Sequence, residues 1–346
     1  MLEVIKDYGL FLGKTITIVL AIVFIIRGIV TAVHRAREWS HERITVKKLN
    51  HHYDHLRNTL KEAILPPFEL KKDFKEQHKQ HKAERKKAKT GAPPEKKRVF
   101  VLNFKGDLLA SAISSLREEI TAVLTVAKPG DEVVVRLESS GGLVNAYGLA
   151  ASQLLRVRQK KIPLTVAVDK VAASGGYLMA CVADRIVAAP FAVIGSIGVA
   201  SEVPNFHRLL KKHDIDFELI TAGEYKRTLT LFGENTEKGR KKFIEQVEET
   251  HTLFKEFLRE NRAQVEVDTV ATGEYWYGRH ALDLKLIDDL IASDDYLFAA
   301  SETSDIYEVE YKPKETLREK IASGIVHTAN NLLFSWWQAS NKSRFF

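Results

Sequence analysis

The stretch PLTVAVDKVAASGGYLMACVADRIVAA, from Pro163 to Ala189, carries the plainest fold signal in the chain. Pro163 to Val168 is a short apolar, β-branched run, the pattern of a buried strand. Ala172-Ala173-Ser174-Gly175-Gly176-Tyr177 then turns the chain, and a helix opens near Ser174. Asp184 to Ala189 is a further apolar run of strand length. Strand, turn, helix and strand in succession form the repeating unit of a parallel sheet.

The same alternation extends outward. Upstream lie a strand at Val99 to Asn103, helical periodicity from Leu108 to Ala127, a strand at Glu132 to Leu137 and a helix at Val144 to Gln159. Downstream, Phe217 to Ile220 reads as another strand and Glu237 to Arg262 as a long amphipathic helix. Strands and helices at this spacing predict a layered α/β domain of βαβ units.

Before this domain the texture differs. Tyr8 to Val33 has an uninterrupted apolar heart from Thr15 to Ile26, with Lys14 and Arg27 flanking that heart and placed to snorkel, and is long enough to span a bilayer. No small-x-small cleavage site follows it, so it reads as an uncleaved transmembrane anchor rather than a signal peptide. His34 to Lys61 reads as a polar helix. Lys71 to Lys97 is almost wholly charged, bracketed by Pro66-Pro67 and Pro93-Pro94, and reads as a solvated helix or disorder. Residues 34–98 therefore form a basic spacer, with the folded domain at 99–312. The tail from 313 is polar until Leu332-Leu-Phe-Ser-Trp-Trp337.

The 346 residues carry a formal net charge of +7, concentrated between His34 and Arg98. No nucleic-acid recognition motif accompanies that basic segment; its place beside an apolar run suits anionic lipid headgroups. The basic flank also puts the bulk of the chain in the cytoplasm by the positive-inside rule. The single cysteine, Cys181, excludes a disulfide framework and a cysteine zinc site, and its apolar context reads as a packed core thiol. His51 and His55 have helical spacing but no carboxylate-rich pocket beside them, so no metal is expected. Gly9-Leu-Phe-Leu-Gly13-Lys14-Thr15 is one residue short of a phosphate-binding loop and lies in the apolar run.

Two glycine turns follow strands. Ser139-Ser140-Gly141-Gly142 can present bare N–H groups to an oxyanion, or be an ordinary tight turn. Ser174 stands between small residues at a strand-to-helix turn, as a nucleophile elbow requires, or merely caps the helix. Ligands of open α/β sheets bind at the carboxyl ends of the strands, where both turns sit. A nucleophilic serine needs a base. His207, His213, His251 and His280 offer no clear triad. A lysine can serve when burial keeps it neutral, but no rule of composition or spacing selects one.

Together these segments resemble the S49 peptidase family, of the signal peptide peptidase A type. The resemblance rests on Glu138-Ser139-Ser140-Gly141-Gly142, Ala173-Ser174-Gly175-Gly176-Tyr177, Ile194-Gly195-Ser196-Ile197-Gly198-Val199 and Gly223-Glu224-Tyr225-Lys226. It implies a Clp protease/crotonase-like α/β fold, Ser174 as nucleophile and Lys226 as general base. It further implies oxyanion donors from Gly175 and the Gly141-Gly142 turn, and Ser196 orienting the lysine. Where the family often has Ser-Pro-Gly-Gly, this chain has Ser139-Ser140-Gly141-Gly142, a freer turn. The resemblance implies a cofactor-free, homo-oligomeric serine endopeptidase on the bacterial inner membrane, its catalytic domain periplasmic, cleaving signal peptides or other unfolded membrane-derived peptides. A crotonase-like acyl-CoA enzyme and an inactive membrane scaffold are the rival readings of the same fold.

Overall fold

The computed structural model describes residues 43–72 and 96–313, with the isolated positions Arg27, Lys75 and Lys79. The chain divides into two compact units, Ile44–Glu310 and the two chain ends. The expected anchor at 8–33 apart from Arg27, most of the charged run at 71–97 and the Trp336-Trp337 tail lie outside the described residues. Among the described residues no helix is long and apolar enough to cross a membrane.

A seven-stranded sheet forms the centre of the larger unit. Its strands are β1 (Arg43–Lys48), β2 (Arg98–Lys105), β3 (Glu132–Glu138), β4 (Leu164–Val168), β6 (Arg185–Ala188), β9 (Asp289–Leu290) and β10 (Asp305–Lys312). In space the order is β1-β10-β2-β3-β4-β6-β9, and the pairings from β10 to β9 are parallel. A second sheet of three short strands stands beside it. There β5 (Val171–Ala173) runs parallel to β7 (Val193–Gly195), and β8 (Tyr275–Tyr277) antiparallel to β7.

The strand sequences explain why the large sheet is covered on both faces. Side chains alternate across a strand. Phe100, Leu102 and Phe104 of β2, with Val133 and Val135 of β3, join one core. Val99 and Val101, with Val134, Ala167 and Val187, join a second. Each buried Val or Leu contributes about 1.5–3 kcal/mol, so a strand apolar at every position is stable only between two layers. On the first face lie α2 (Ile113–Val126), α3 (Val144–Gln159) and α4 (Gly175–Ala180). On the second lie α1 (Leu49–Ile64) and α9 (Ser293–Ser301), with the Tyr53 and Phe298 rings edge-on at 5.4 Å.

The remaining helices are α5 (His207–Lys212), α6 (Glu237–Asn261), α7 (Val267–Val270) and α8 (Gly278–Asp283). Thr236 caps α6, its hydroxyl accepting the Gly239 N–H at 3.1 Å. Along this helix Leu258 alone is buried, while Phe254 and Phe257 pack against the first core.

Two expectations are corrected. Phe217 to Ile220 is not a strand: it is exposed irregular chain that pairs with no strand among the described residues, and β-branched or aromatic residues make a strand only where a partner accepts their hydrogen bonds. The polar helix expected from His34 to Lys61 is, in its described part, β1 followed by α1. Asn50 fixes that start, its side chain donating to Ser301 and Ser304 carbonyls and accepting from the Ile306 N–H. The expected spacer therefore supplies a strand and a helix to the compact unit.

Candidate active site

The loops after β2 and β3 meet the turn between β5 and α4. A single parallel bridge, Ser139 to Ala172, leads the end of β3 onto β5. Ser174 follows β5 with φ +51° and ψ −121°. A non-glycine residue held there stores on the order of 1–3 kcal/mol of strain, which the surroundings must impose. They do: Ser174 donates its N–H to Gly195 O at 2.8 Å, Leu178 N–H returns to Ser174 O at 2.9 Å, and Ala173 N–H bonds Ser139 O at 3.0 Å.

The reading of Ser174 as a helix cap is set aside. It occupies the cap position of α4, but its side chain makes no cap hydrogen bond. Ser174 is half-buried and lines a cavity of about 170 Å³. Val144, Tyr147, Leu178, Leu253, Phe254 and Phe257 form its apolar walls, with Gly142 and Gly175 at the serine.

The glycines are there because nothing larger fits. Gly141 has φ +90°, and a Cβ on it would stand 2.7 Å from Gly175 N and 2.8 Å from Ser174 Cβ. A Cβ on Gly175 would stand 2.5 Å from the Tyr147 ring. The turn thus lies directly against the start of α4, in front of the Gly175 amide. Gly141 donates its own N–H to Ser139 Oγ at 3.1 Å. Among the described residues, no backbone acceptor takes the Gly142 or Gly175 N–H.

The other expected residues lie elsewhere. Ser196, with φ +50°, is half-buried after β7 and donates its N–H to Glu274 O at 2.7 Å. Lys226 is exposed in the irregular segment before α6, its N–H reaching Gly223 O at 3.2 Å. Neither lines the cavity, and no hydrogen bond joins Lys226 to Ser174 or Ser196. The segment around Lys226 is apolar yet open: Phe206, Phe217 and Phe232 cluster together while Ile220 is 92% exposed. None of the four histidines lines the cavity. Cys181 is fully buried, and burial pushes its thiol up to about 12, which makes it an inert core residue.

Sequence reasoning did not single out Tyr147, Leu253, Phe254 or Phe257. The α6 residues had a signal, an apolar face recurring at helical spacing. Tyr147 had none, because its partners lie on three other elements.

A strained serine at a helix start, unpaired glycine amides beside it and an apolar cavity large enough for one side chain are the working parts of a serine peptidase. Residues 3–154 match the family model described as peptidase family S49 N-terminal, and residues 156–306 that described as peptidase family S49. The chain belongs to peptidase family S49 and is a peptidase. It is similar to the probable protease SohB of Haemophilus influenzae, 44% identical over 351 residues and covering 99% of each chain. The probable protease SohB of Buchnera aphidicola subsp. Schlechtendalia chinensis is 46% identical over 86% of this chain and 100% of its own. Among solved structures, a 1510-N membrane-bound stomatin-specific protease in complex with a substrate peptide matches 66% of this chain and 98% of its own, at 14% identity and TM-score 0.41.

Proposed function

We propose that the chain is a membrane-anchored serine endopeptidase in which Ser174 is the nucleophile and Lys226 the general base. The observation that supports this most is Ser174 itself, strained, its hydroxyl and the neighbouring Gly175 N–H without a hydrogen-bond partner among the described residues, at an apolar cavity. Ser174 Oγ attacks the scissile carbonyl and a neutral Lys226 amine takes its proton. The N–H groups of Gly175 and Gly142 hold the oxyanion. The lysine then protonates the leaving amine, and water releases the acyl group from the serine. The cavity accepts an apolar side chain of the substrate, which suits signal peptides and other membrane-derived polypeptides.

Lys226 reaches Ser174 in a homo-oligomer, in which one copy supplies the serine and its neighbour the lysine. The exposed apolar segment around Lys226 favours this, since association would cover it and desolvate the amine. Residues 8–33 anchor the assembly in the inner membrane, with the catalytic domain periplasmic; a reporter fused after Phe346 reads that orientation directly.

Detergent-solubilised protein is assayed on casein or a signal peptide. Ser174→Ala and Lys226→Ala each should lose activity by about 10³-fold or more. Mixing the two inactive variants should restore part of it, because some mixed interfaces pair an intact serine with an intact lysine. Activity retained by both single variants would sink the dyad; mixtures that stay silent would sink its sharing between copies.

A further inference from the structure

One chain of hydrogen bonds beside Ser174 runs through groups the proposed chemistry does not use. Tyr147, on the first turn of α3, is fully buried. Its hydroxyl donates to the Asp107 carbonyl at 2.7 Å. It also lies 2.6 Å from Ser139 Oγ, which accepts the Gly141 N–H at 3.1 Å. A phenol has one proton, and here it is committed to Asp107. Ser139 must therefore donate to Tyr147 Oη, leaving its own lone pairs for Gly141. Every link has a single polarity: Gly141 N–H to Ser139, Ser139 to Tyr147, Tyr147 to Asp107.

The ring of the same tyrosine packs on Gly175 so closely that no Cβ would fit between them. Tyr147 thus touches both halves of the site, Gly175 through its ring and the Gly141–Gly142 turn through its hydroxyl. The far end of the relay is also fixed. Asp107 Oδ1 accepts the N–H groups of Leu109 and Ser111 at 3.1 and 2.8 Å, and Leu143 N–H bonds Leu108 O at 2.9 Å. A proline would stiffen this turn covalently at the position of Ser140. Here the Ser139–Tyr147 relay holds it instead.

We propose that Tyr147 is a positioning residue: acting through Ser139, its hydroxyl withdraws the Gly141 N–H from the oxyanion and sets the Gly142 N–H against that of Gly175. This rests on the reading of Ser174 as nucleophile. Misplacing a preorganised donor weakens the transition state and leaves ground-state binding alone, so the loss falls on kcat.

The test uses the full-length, detergent-solubilised protein as wild type, Tyr147→Phe, Ser139→Ala and the double variant. Active sites are titrated with a fluorophosphonate probe, and kcat and KM are measured per titrated site. Each single variant should lose about tenfold in kcat with KM within twofold, and the double variant should be no slower than either single one, because both cut one chain. Wild-type kcat per titrated site, a loss confined to KM, or losses that multiply in the double variant would overturn the proposal. A merely structural role would lower Tm or the number of titratable sites while leaving kcat per site intact. Should Tyr147→Phe fail to fold, Ser139→Ala decides the matter by the same criteria. Ser174→Ala is run in parallel: activity surviving there overturns the nucleophile, whereas an inert Ser174→Ala beside an unimpaired Tyr147→Phe overturns the relay alone.

Discussion

Ser174 shows how a residue's neighbours turn a common side chain into a candidate nucleophile. Its positive φ is enforced by the Gly195 carbonyl above it and by Gly141 pressed against its Cβ. The sequence marks the position, since small residues on both sides of a serine after a strand leave room for a carbonyl to approach. It does not reveal that the hydroxyl is unengaged; a capping serine has the same local sequence. Gly141 is the sharper case. At φ +90°, with Gly175 N only 2.7 Å from any added Cβ, Gly141→Ala must both strain the backbone and close the space before the amide. It should cost about 1–3 kcal/mol of stability and cut kcat at least tenfold, read by thermal denaturation and by turnover per titrated site. A Gly141→Ala enzyme with normal turnover would remove the turn from the oxyanion site.

Among the elements, α6 combines a legible sequence with an illegible position. Its periodicity over Glu237 to Arg262 predicts the observed helix, Glu237–Asn261, almost to the residue. Where it docks is set by Arg262, just past its end, which is 1% exposed. The guanidinium donates to both Asp288 carboxylate oxygens, at 3.0 and 3.2 Å, and to Lys285 O at 3.1 Å. The same carboxylate accepts the Ile186 N–H at 2.7 Å, so one pair ties the end of α6 to β6 and to the approach of β9. Arg262→Ala should cost about 3 kcal/mol, because a buried site and its carboxylate partner are left unmatched. Chemical denaturation measures it, and a change below about 0.5 kcal/mol would show that the pair is not what docks α6. The docked stretch carries Phe254 and Phe257 into the cavity, so the same substitution should also raise KM. The failed strand at Phe217 to Ile220 is the converse: good strand residues with no strand to pair with among the described residues.

For the whole molecule, the two-faced sheet makes acid stability depend on a few buried carboxylates. Glu132 lies under α9 on the second face. Burial by itself would raise its carboxyl; the Lys97 ammonium at 2.6 Å and the Tyr296 and Thr165 hydroxyls bring it net below the usual range. Asp131 follows the same logic, burial opposed by Arg98. A folded-state value below the unfolded one gives stability that is full above about pH 4.3 and is lost as pH falls through the folded value. Glu132→Gln should therefore lower Tm at pH 7 and flatten the fall of Tm between pH 5 and pH 2. A variant that loses stability with acid as steeply as wild type would show that this carboxylate does not report the fold's acid limit.

The sequence by itself determined the layered α/β architecture and the candidate serine. Apolar runs of strand length and helical periodicity are local properties, and a glycine-flanked serine between them is a local signature. It also determined the family, because several motifs recur in order along the chain. Only the tertiary structure decided that residues 44–64 belong to the folded unit, that β7, β8 and β9 exist, and that Tyr147, Phe254 and Phe257 meet at Ser174. Strands of two or three residues are defined by their partners, and a cavity by walls from distant helices. Both depend on long-range pairing, which leaves no periodicity in the sequence. Lys226 marks the boundary: its motif is readable in the chain, yet the fold leaves it exposed and outside the lining of the cavity at the serine.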